Sequence, residues 1–307
     1  MLQTESAKSL AFPSTSFDLV AAQKIAKASG SVKIEPAYIV FLTLFHLGAI
    51  AALFYFSWAN LLSAIILYVV SGLGITVGYH RLLTHRSFRT PKWLERVFAT
   101  AGAIALQGDP ITWIAQHRQH HSESDKEHDP HNIHKGFFWA HVGWVFMRYP
   151  KWYEEGQRSK YAPDLQKDPY YRWLLKYHFV LQVIVAGILL AIGGFGMFLW
   201  GFCLRLVCVF HSTWFVNSAC HYWGYRPVKE EIATNNWWVA LLTFGEGWHN
   251  NHHAFPTSAR HGLRFWEIDM SWMTIWTLKK LRLATKVHLP RTEDLPWNQS
   301  KILSEES

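Results

Sequence analysis

Between Pro36 and Tyr79 the chain has no aspartate, glutamate, lysine or arginine. Uncharged sequence of that length excludes a helix lying on a water-facing surface, and it exceeds the roughly 20 apolar residues that one bilayer crossing needs. Two spans account for it, Ala37–Phe56 and Leu61–Tyr79, turning at residues 57–60 with Trp58 at the interface. A second run, Tyr177 to Tyr225, carries one charge, Arg205, and is broken by Gly193, Gly194 and Gly196. It reads as a second hairpin with spans His178–Ile192 and Phe202–Cys220, Arg205 lying close enough to an end to snorkel. Cysteine is also scarce. Cys203, Cys208 and Cys220 form no C-x-x-C pair, which excludes a disulfide framework or thiolate zinc site and leaves them as buried packing residues. No His-Glu-x-x-His motif occurs, so a zinc protease is disfavoured. The first residues lack the apolar core of a cleaved signal peptide, so export is not expected.

What is abundant fits a membrane as well. Half of the residues are hydrophobic, and 17 tryptophans are present, a residue that favours the headgroup level. Lysine and arginine avoid both hairpin tips and collect in the N-terminal segment, in residues 81–176 and after the last span, which by the positive-inside rule face the cytoplasm. The net charge of +8 then suits anionic lipid headgroups or an acidic protein. No compact basic motif argues for nucleic acid. The expected fold is an all-α membrane protein with four transmembrane helices in two hairpins. The expected organisation is a polar segment over 1–33, a body over 34–265 and a cytoplasmic tail over 266–307. Val97–Gln107 and Trp237–Phe244 are apolar but too short to span, and read as interfacial or cap helices. Residues 149–169 read as an exposed loop.

Eighteen histidines are present, and half of them fall into a pattern. His80 and His85 lie in HRLLTH after the second span, His117, His120 and His121 in HRQHH, and His249, His252 and His253 in HNNHH. His221 closes the fourth span, four residues after Asn217. Positions i, i+3 and i+4 share a helix face, so each triplet can address one site. His80 and His85 are five apart, which requires a loosened helix end or two different metals. All the clusters sit where apolar segments end, hence on one membrane face. Nine imidazoles exceed the ligands one ion takes, about three for catalytic zinc and six for an octahedral ion, so two metals fit better. Imidazole suits zinc, copper, iron and nickel alike. The other nine, His46, His128, His131, His134, His141, His178, His211, His261 and His288, are read as ordinary structural histidines, with His128 and His131 in EHDPH the nearest to a site. Asp109, Asp129 and Glu246 are candidates to hold the unligated ring nitrogens, and Asn217 to reach a metal directly or through a water.

These motifs resemble those of the stearoyl-type Δ9 acyl desaturases, whose three histidine boxes match HRLLTH, HRQHH and HNNHH. The resemblance continues through EHDPHN, GFFWAHVGW, NSACH and GEGWHNNHH, from about Ile34 to Phe265. It implies a four-helix stem under a cytoplasmic helical cap, two iron ions held by the nine histidines, Asn217 on a metal-bound water, and O2-dependent removal of two hydrogens from an acyl chain. It places Gln107, Trp113 and Thr213 along the bend of a substrate tunnel. It also implies a separate electron carrier, ferredoxin or a b-type cytochrome, since no His-Pro-Gly-Gly haem motif is present. The chain departs from the members that act on acyl-CoA. Ala115-Gln116 replaces an arginine-aspartate pair, Gly108 an asparagine, and Ala37-Tyr38 an arginine-asparagine pair. Contacts to a CoA headgroup are missing, so the chain is more similar to bacterial and plant members, some of which desaturate acyl groups already esterified in membrane lipids; a fatty acyl lipid or a thioester both remain as substrate. A hydroxylase on the same ligands is the near alternative, separated by its hydroxy product. A metal transporter is the distant one, and its sites lie near the bilayer midplane rather than at span ends.

Overall fold

The computed structural model describes residues 33–148, 155–295 and 297–298. Residues 1–32 of the expected polar segment over 1–33, the first residues of the 149–169 loop and the end of the tail lie outside them. Helix α1 spans Pro36–Ala52 and is extended by a 3-10 turn, Leu53–Tyr55. Its first-turn proline has no N–H to leave unpaired. Ser57 caps α2 (Trp58–Leu73) by accepting from Asn60 N at 3.1 Å, and α2 runs on as a π-helix, Gly74–Thr84. Then follow α3 (Lys92–Ile104), α4 (Pro110–Ser122), α5 (Glu155–Tyr161), α6 (Pro163–Gln166), α7 (Pro169–Phe198), α8 (Arg205–Ser218), α9 (Trp237–Leu242), α10 (His249–Ala254) and α11 (Met270–Lys280).

Among the described residues, three continuous helical stretches are long and apolar enough to cross a membrane: Pro36–Tyr55, Trp58–Thr84 and the 53 residues Pro169–His221. A straight helix of that last length would reach about 80 Å, more than twice a hydrocarbon core of about 30 Å. It is not straight. Gly194 adopts φ 65° and ψ −159°, a conformation only glycine takes without strain, and Leu189 packs against Gly201 across the bend. The chain thus doubles back where the glycines predict. Phe54, Val183 and Ile192 are more than 70% exposed, so the outer surface of these arms is apolar and suits lipid.

Three expectations need correction. Arg205 does not snorkel but is 1% exposed, donating from Nε to Gly201 O and from a terminal nitrogen to Ile104 O at 2.9 Å; a carbonyl at the end of α3 takes the place of water. Residues 155–166 form α5 and α6 rather than a loop. Cys208 is exposed, unlike Cys203 and Cys220. The helical body also carries a two-residue antiparallel pair, Lys33–Ile34 with Met147–Arg148. The region assigned to a tail enters the core as well: Ile275 is fully buried and Ser271 donates to Thr76 Oγ1 at 2.7 Å.

The π-helix is packed on α3 through Gly74, where a Cβ would overlap the backbone of Ala101 and Gly102. Neither side can yield, because both are main chain. Gly74→Ala is expected to cost about 1–3 kcal/mol or more, read as a lower melting temperature and a lower yield of folded protein. A variant as stable as the parent would mean that the two helices are free to separate.

Candidate metal centre

The five-residue interval between His80 and His85 is resolved by the backbone. In the π-helix the His85 N–H bonds to the His80 carbonyl at 3.1 Å, so residues five apart lie over one another. His80 and His85 thereby serve one site, not two. Asp109 caps α4, its carboxylate accepting from Thr112 N at 2.9 Å, with Pro110 in the first turn. That capping displaces the expected role: Asp109 fixes the helix carrying His117, His120 and His121 instead of holding a ring. Asn236 caps α9, and α10 presents His249, His252 and His253.

The nine histidines assemble into two groups. His80, His85, His117, His121 and His252 form one, and His120, His221, His249 and His253 the other, the ligand atoms of each lying within 4.8 Å of one another. In the first group His252 Nε2 is 3.0 Å from both His80 Nε2 and His121 Nε2, and His121 Nε2 is 3.1 Å from His117 Nε2. In the second, Nε2 atoms follow one another from His120 to His253 (3.3 Å), to His249 (3.1 Å), to His221 (3.1 Å).

Hydrogen bonds alone do not satisfy this arrangement. His120 Nδ1 faces Asp129 at 2.8 Å and His221 Nδ1 faces Asp125 at 3.0 Å. A carboxylate accepts, so both Nδ1 atoms carry hydrogen and both Nε2 atoms are lone pairs. If His253 and His249 each donate outward to them, two N–H groups oppose one another in the middle. A cation inside each group removes the conflict. Metal–nitrogen bonds of about 2.0–2.1 Å place neighbouring ligands about 3 Å apart, as found here. His85 Nε2 is buried without a hydrogen-bond partner, which a metal would supply. The residues therefore fit two cations, and the ring set alone does not choose the element.

Carboxylates stand behind the rings. Glu246 Oε2 lies 2.7 Å from His80 Nδ1 and 3.1 Å from His261 Nδ1, while Oε1 accepts from Arg81 at 3.1 Å. Arg81 is wholly buried and also pairs with Asp269 at 3.0 Å. Burial opposes the charge on Glu246, yet Arg81, His80 and His261 together hold it well below the usual carboxylate range. Asp129 is likewise held low against burial by His120 and His131. Such partners fix ring orientation and tautomer.

The sequence reading missed Asp125, His261 and Arg81, and left His131 among the ordinary histidines although it marked it as near to a site. Asp125 follows HRQHH closely and Arg81 lies inside HRLLTH, so position was a usable signal for both. His131 packs its ring 4.3 Å from His120, and His261 packs 4.4 Å from His252; nothing in the local sequence marks His261.

Burial, reinforced by neighbouring imidazoles, holds His85, His117, His121, His249, His252 and His253 well below the ordinary histidine range. They stay neutral, as metal ligation requires. In the metal-free protein the folded state binds fewer protons than the unfolded one once pH drops below about 6.5. Stability present above that pH is lost as pH falls toward the lowered values. Thermal melts of the metal-free protein should give a clearly lower midpoint at about pH 5.5 than at about pH 7.5; a higher midpoint at the acidic pH would contradict the assignment.

A pocket opens against both groups, with His80, His117 and His249 in its wall beside Trp113, Thr213 and Asn217. Trp113 stacks on His117 with 5.1 Å between ring centroids. Gln107 donates to Thr213 Oγ1 at 2.7 Å. Tyr68, Gly72, Ile75, Val209, Val216 and Phe244 give the rest of the wall a mainly apolar character, interrupted by Thr76, Ser212, Thr243 and Glu246.

Comparison with known proteins places these features. The family model described as fatty acid desaturase matches residues 56–272. The sn-1 stearoyl-lipid 9-desaturase of Anabaena variabilis is 49% identical over 255 residues, covering 80% of this chain and 93% of the relative. The sn-2 palmitoyl-lipid 9-desaturase of Nostoc sp. (strain 36) is 47% identical over 252 residues, 81% of this chain and 88% of the relative. The icosanoyl-CoA 5-desaturase of Limnanthes douglasii is 49% identical over 253 residues, 81% and 71%.

Proposed function

Because the chain belongs to the fatty acid desaturase family, we propose that it introduces a cis double bond at Δ9 into a saturated acyl chain carried on a membrane glycerolipid. The observation that carries this reading is the shared cavity: a mainly apolar pocket whose wall includes histidines of both metal groups can bring two adjacent methylenes to one centre. Two iron ions would be held by the two groups, His80, His85, His117, His121 and His252 on one and His120, His221, His249 and His253 on the other, with Asn217 placed to reach a metal through a water. The iron pair, when bound, supplies the oxidising chemistry by which O2 removes hydrogen from an unactivated C–H bond. The two electrons that balance the reaction come from a separate carrier, a ferredoxin or a b-type cytochrome.

The chain's own residues do the positioning. Trp113 and the Gln107–Thr213 pair shape the wall beside the histidines, and the apolar lining excludes water from the reacting carbons. An error of about an ångström in that placement costs on the order of a hundredfold in rate. A glycerolipid is favoured over CoA because Ala115 is buried, Gly108 has no side chain, and Ala37-Tyr38 offers no cation at the start of α1. Four membrane passes with both termini and the metal centre on the cytoplasmic side are supported by the reversal at Gly194 and by the lysine and arginine distribution.

Expression in a host without this activity, followed by lipid analysis resolved by double-bond position and by glycerol position, tests the reading. The expected product is a Δ9 alkene that appears first in glycerolipid. A hydroxy acid without alkene would identify an oxygenase, and first appearance in the CoA pool would overturn the choice of carrier.

A further inference from the structure

The mainly apolar pocket meets the metal centre at His80, His117 and His249. A second pocket meets it elsewhere, and the histidines in its wall are a different three: His85, His121 and His253. The rest of that wall is Thr84, Arg118, Ser124, Glu231, Pro256 and Thr257, polar at every position but the proline, and no residue lines both pockets. Thr257 is exposed and Ser124 and Glu231 are half-buried, so they form the rim. Below them His121 and His253, one from each metal group, stack with ring centroids 4.8 Å apart. His85 and His121 are half-buried while His80 and His252 of the same group are buried. The second pocket therefore gives both groups a polar opening, separate from the one lined for an acyl chain.

Three carboxylates of the centre are committed to rings: Glu246 to His80 at 2.7 Å, Asp129 to His120 at 2.8 Å and Asp125 to His221 at 3.0 Å. Glu231 is different. Its Oε2 stands 4.0 Å from His253 Nδ1, beyond hydrogen-bond length, and its side chain is 36% exposed. Among the described residues its carboxylate makes no hydrogen bond, and Asp125 and Glu230 add negative charge nearby. Its backbone lies in the irregular stretch between His221 and α9, which leaves the side chain free to swing. The one cation in the wall, Arg118, is already engaged: its terminal nitrogens meet both oxygens of Asp164 at 2.7 and 3.1 Å, and the guanidinium also donates to the carbonyls of Leu83, Thr84 and Tyr161. The rim thus offers one carboxylate with unused ligand capacity, one side chain away from a histidine of the centre.

A divalent cation arrives hydrated, and taking it into an apolar pocket without replacing its water is costly. Carboxylate oxygen replaces that water readily, and imidazole nitrogen then binds transition ions in turn. We propose that the second pocket is the entrance through which metal ions load the centre, with Glu231 as a staging ligand that holds an incoming divalent cation at the rim before His253 and His121 take it inward. Because His253 belongs to the four-histidine group and His121 to the five-histidine group, one entrance serves both. An acyl chain in the other pocket does not obstruct it. The proposal rests on the two-cation reading of the histidines and not on the reaction they support.

The test follows metal uptake rather than turnover. Full-length protein in lipid nanodiscs is stripped with a chelator and mixed with Co2+, whose visible absorption reports binding by histidine. In the parent, uptake should slow as ionic strength rises. Glu231→Gln keeps the shape without the charge; it should load about tenfold more slowly and lose most of that salt dependence, yet reach the same final metal content. Thr257→Trp narrows the rim and should slow loading by a similar factor, whereas Val216→Trp, in the wall of the other pocket, should leave the rate unchanged. If Thr257→Trp does not fold, Ser124→Trp obstructs the rim from another point. Uptake within about twofold of the parent in the Glu231 and rim variants would overturn the proposal, as would slow loading in Val216→Trp alone, which would make the other pocket the route. Faster loss of bound metal with unchanged uptake in Glu231→Gln would also overturn it, by showing that Glu231 serves only to orient His253. A parent that binds no Co2+ would instead defeat the two-cation reading itself, a result distinct from unaltered uptake.

Discussion

Replacing His252 with alanine is expected to abolish product. Its Nε2 atom stands 3.0 Å from those of both His80 and His121, at the middle of the five-histidine group, and the ring is completely buried. Alanine removes a ligand and leaves a gap that no neighbouring side chain fills. Changes to residues that merely orient ligands cost 10–100-fold in metal affinity or activity, so loss of a ligand should exceed about a hundredfold. Metal analysis of the purified variant should fall from two ions per chain toward one, with the four-histidine group still loaded, and lipid analysis should show no new alkene. His288→Ala serves as the control, since that exposed residue touches the body through its backbone N–H on Ser87. Normal unsaturation in His252→Ala would remove it from the centre.

Glu246→Gln should produce the second large effect, through two routes that a further variant separates. The carboxylate holds His80 at 2.7 Å and neutralises Arg81, a guanidinium with no solvent exposure. An amide there leaves Arg81 to Asp269 alone, and breaking one side of a buried ion pair costs about 3 kcal/mol or more. It also frees His80 to turn, which should weaken metal retention by about 10–100-fold. In Arg81→Met with Glu246→Gln the half-paired cation is gone and Asp269 still accepts from the backbone N–H groups of His261 and Gly262, so thermal stability should recover in part while metal retention stays poor. Recovery of both would mean that Glu246 serves the fold and not the metal.

The long apolar helices and the clustering of the nine histidines were legible because each signal is local: an uncharged run, a glycine break, a spacing of three or four residues. The reversal falls at Gly194, inside the predicted break, and the two groups contain the expected rings with none left over. Carboxylate partners were legible only in part. Asp129 and Glu246 were found by closeness in sequence, and the same criterion misassigned Asp109, which caps a helix. It passed over Asp125, whose role depends on His221 being brought to it from 96 residues away. Arg205 was misplaced for a related reason. Sequence shows an arginine near the end of an apolar run, but not that a carbonyl of another helix would be waiting for it.

The π-helix at the end of α2 sets a limit on how this gene can vary. Each residue added to or removed from a helix turns everything beyond it by about 100°. Between His80 and His85 such a change would swing one ligand off the cluster while leaving composition, hydropathy and span length almost untouched. Substitutions at Leu82 or Leu83 that preserve volume should therefore be accepted far more readily than any change of length in that interval. Deletion scanning across residues 80–85 should find a sharp intolerance that substitution scanning does not.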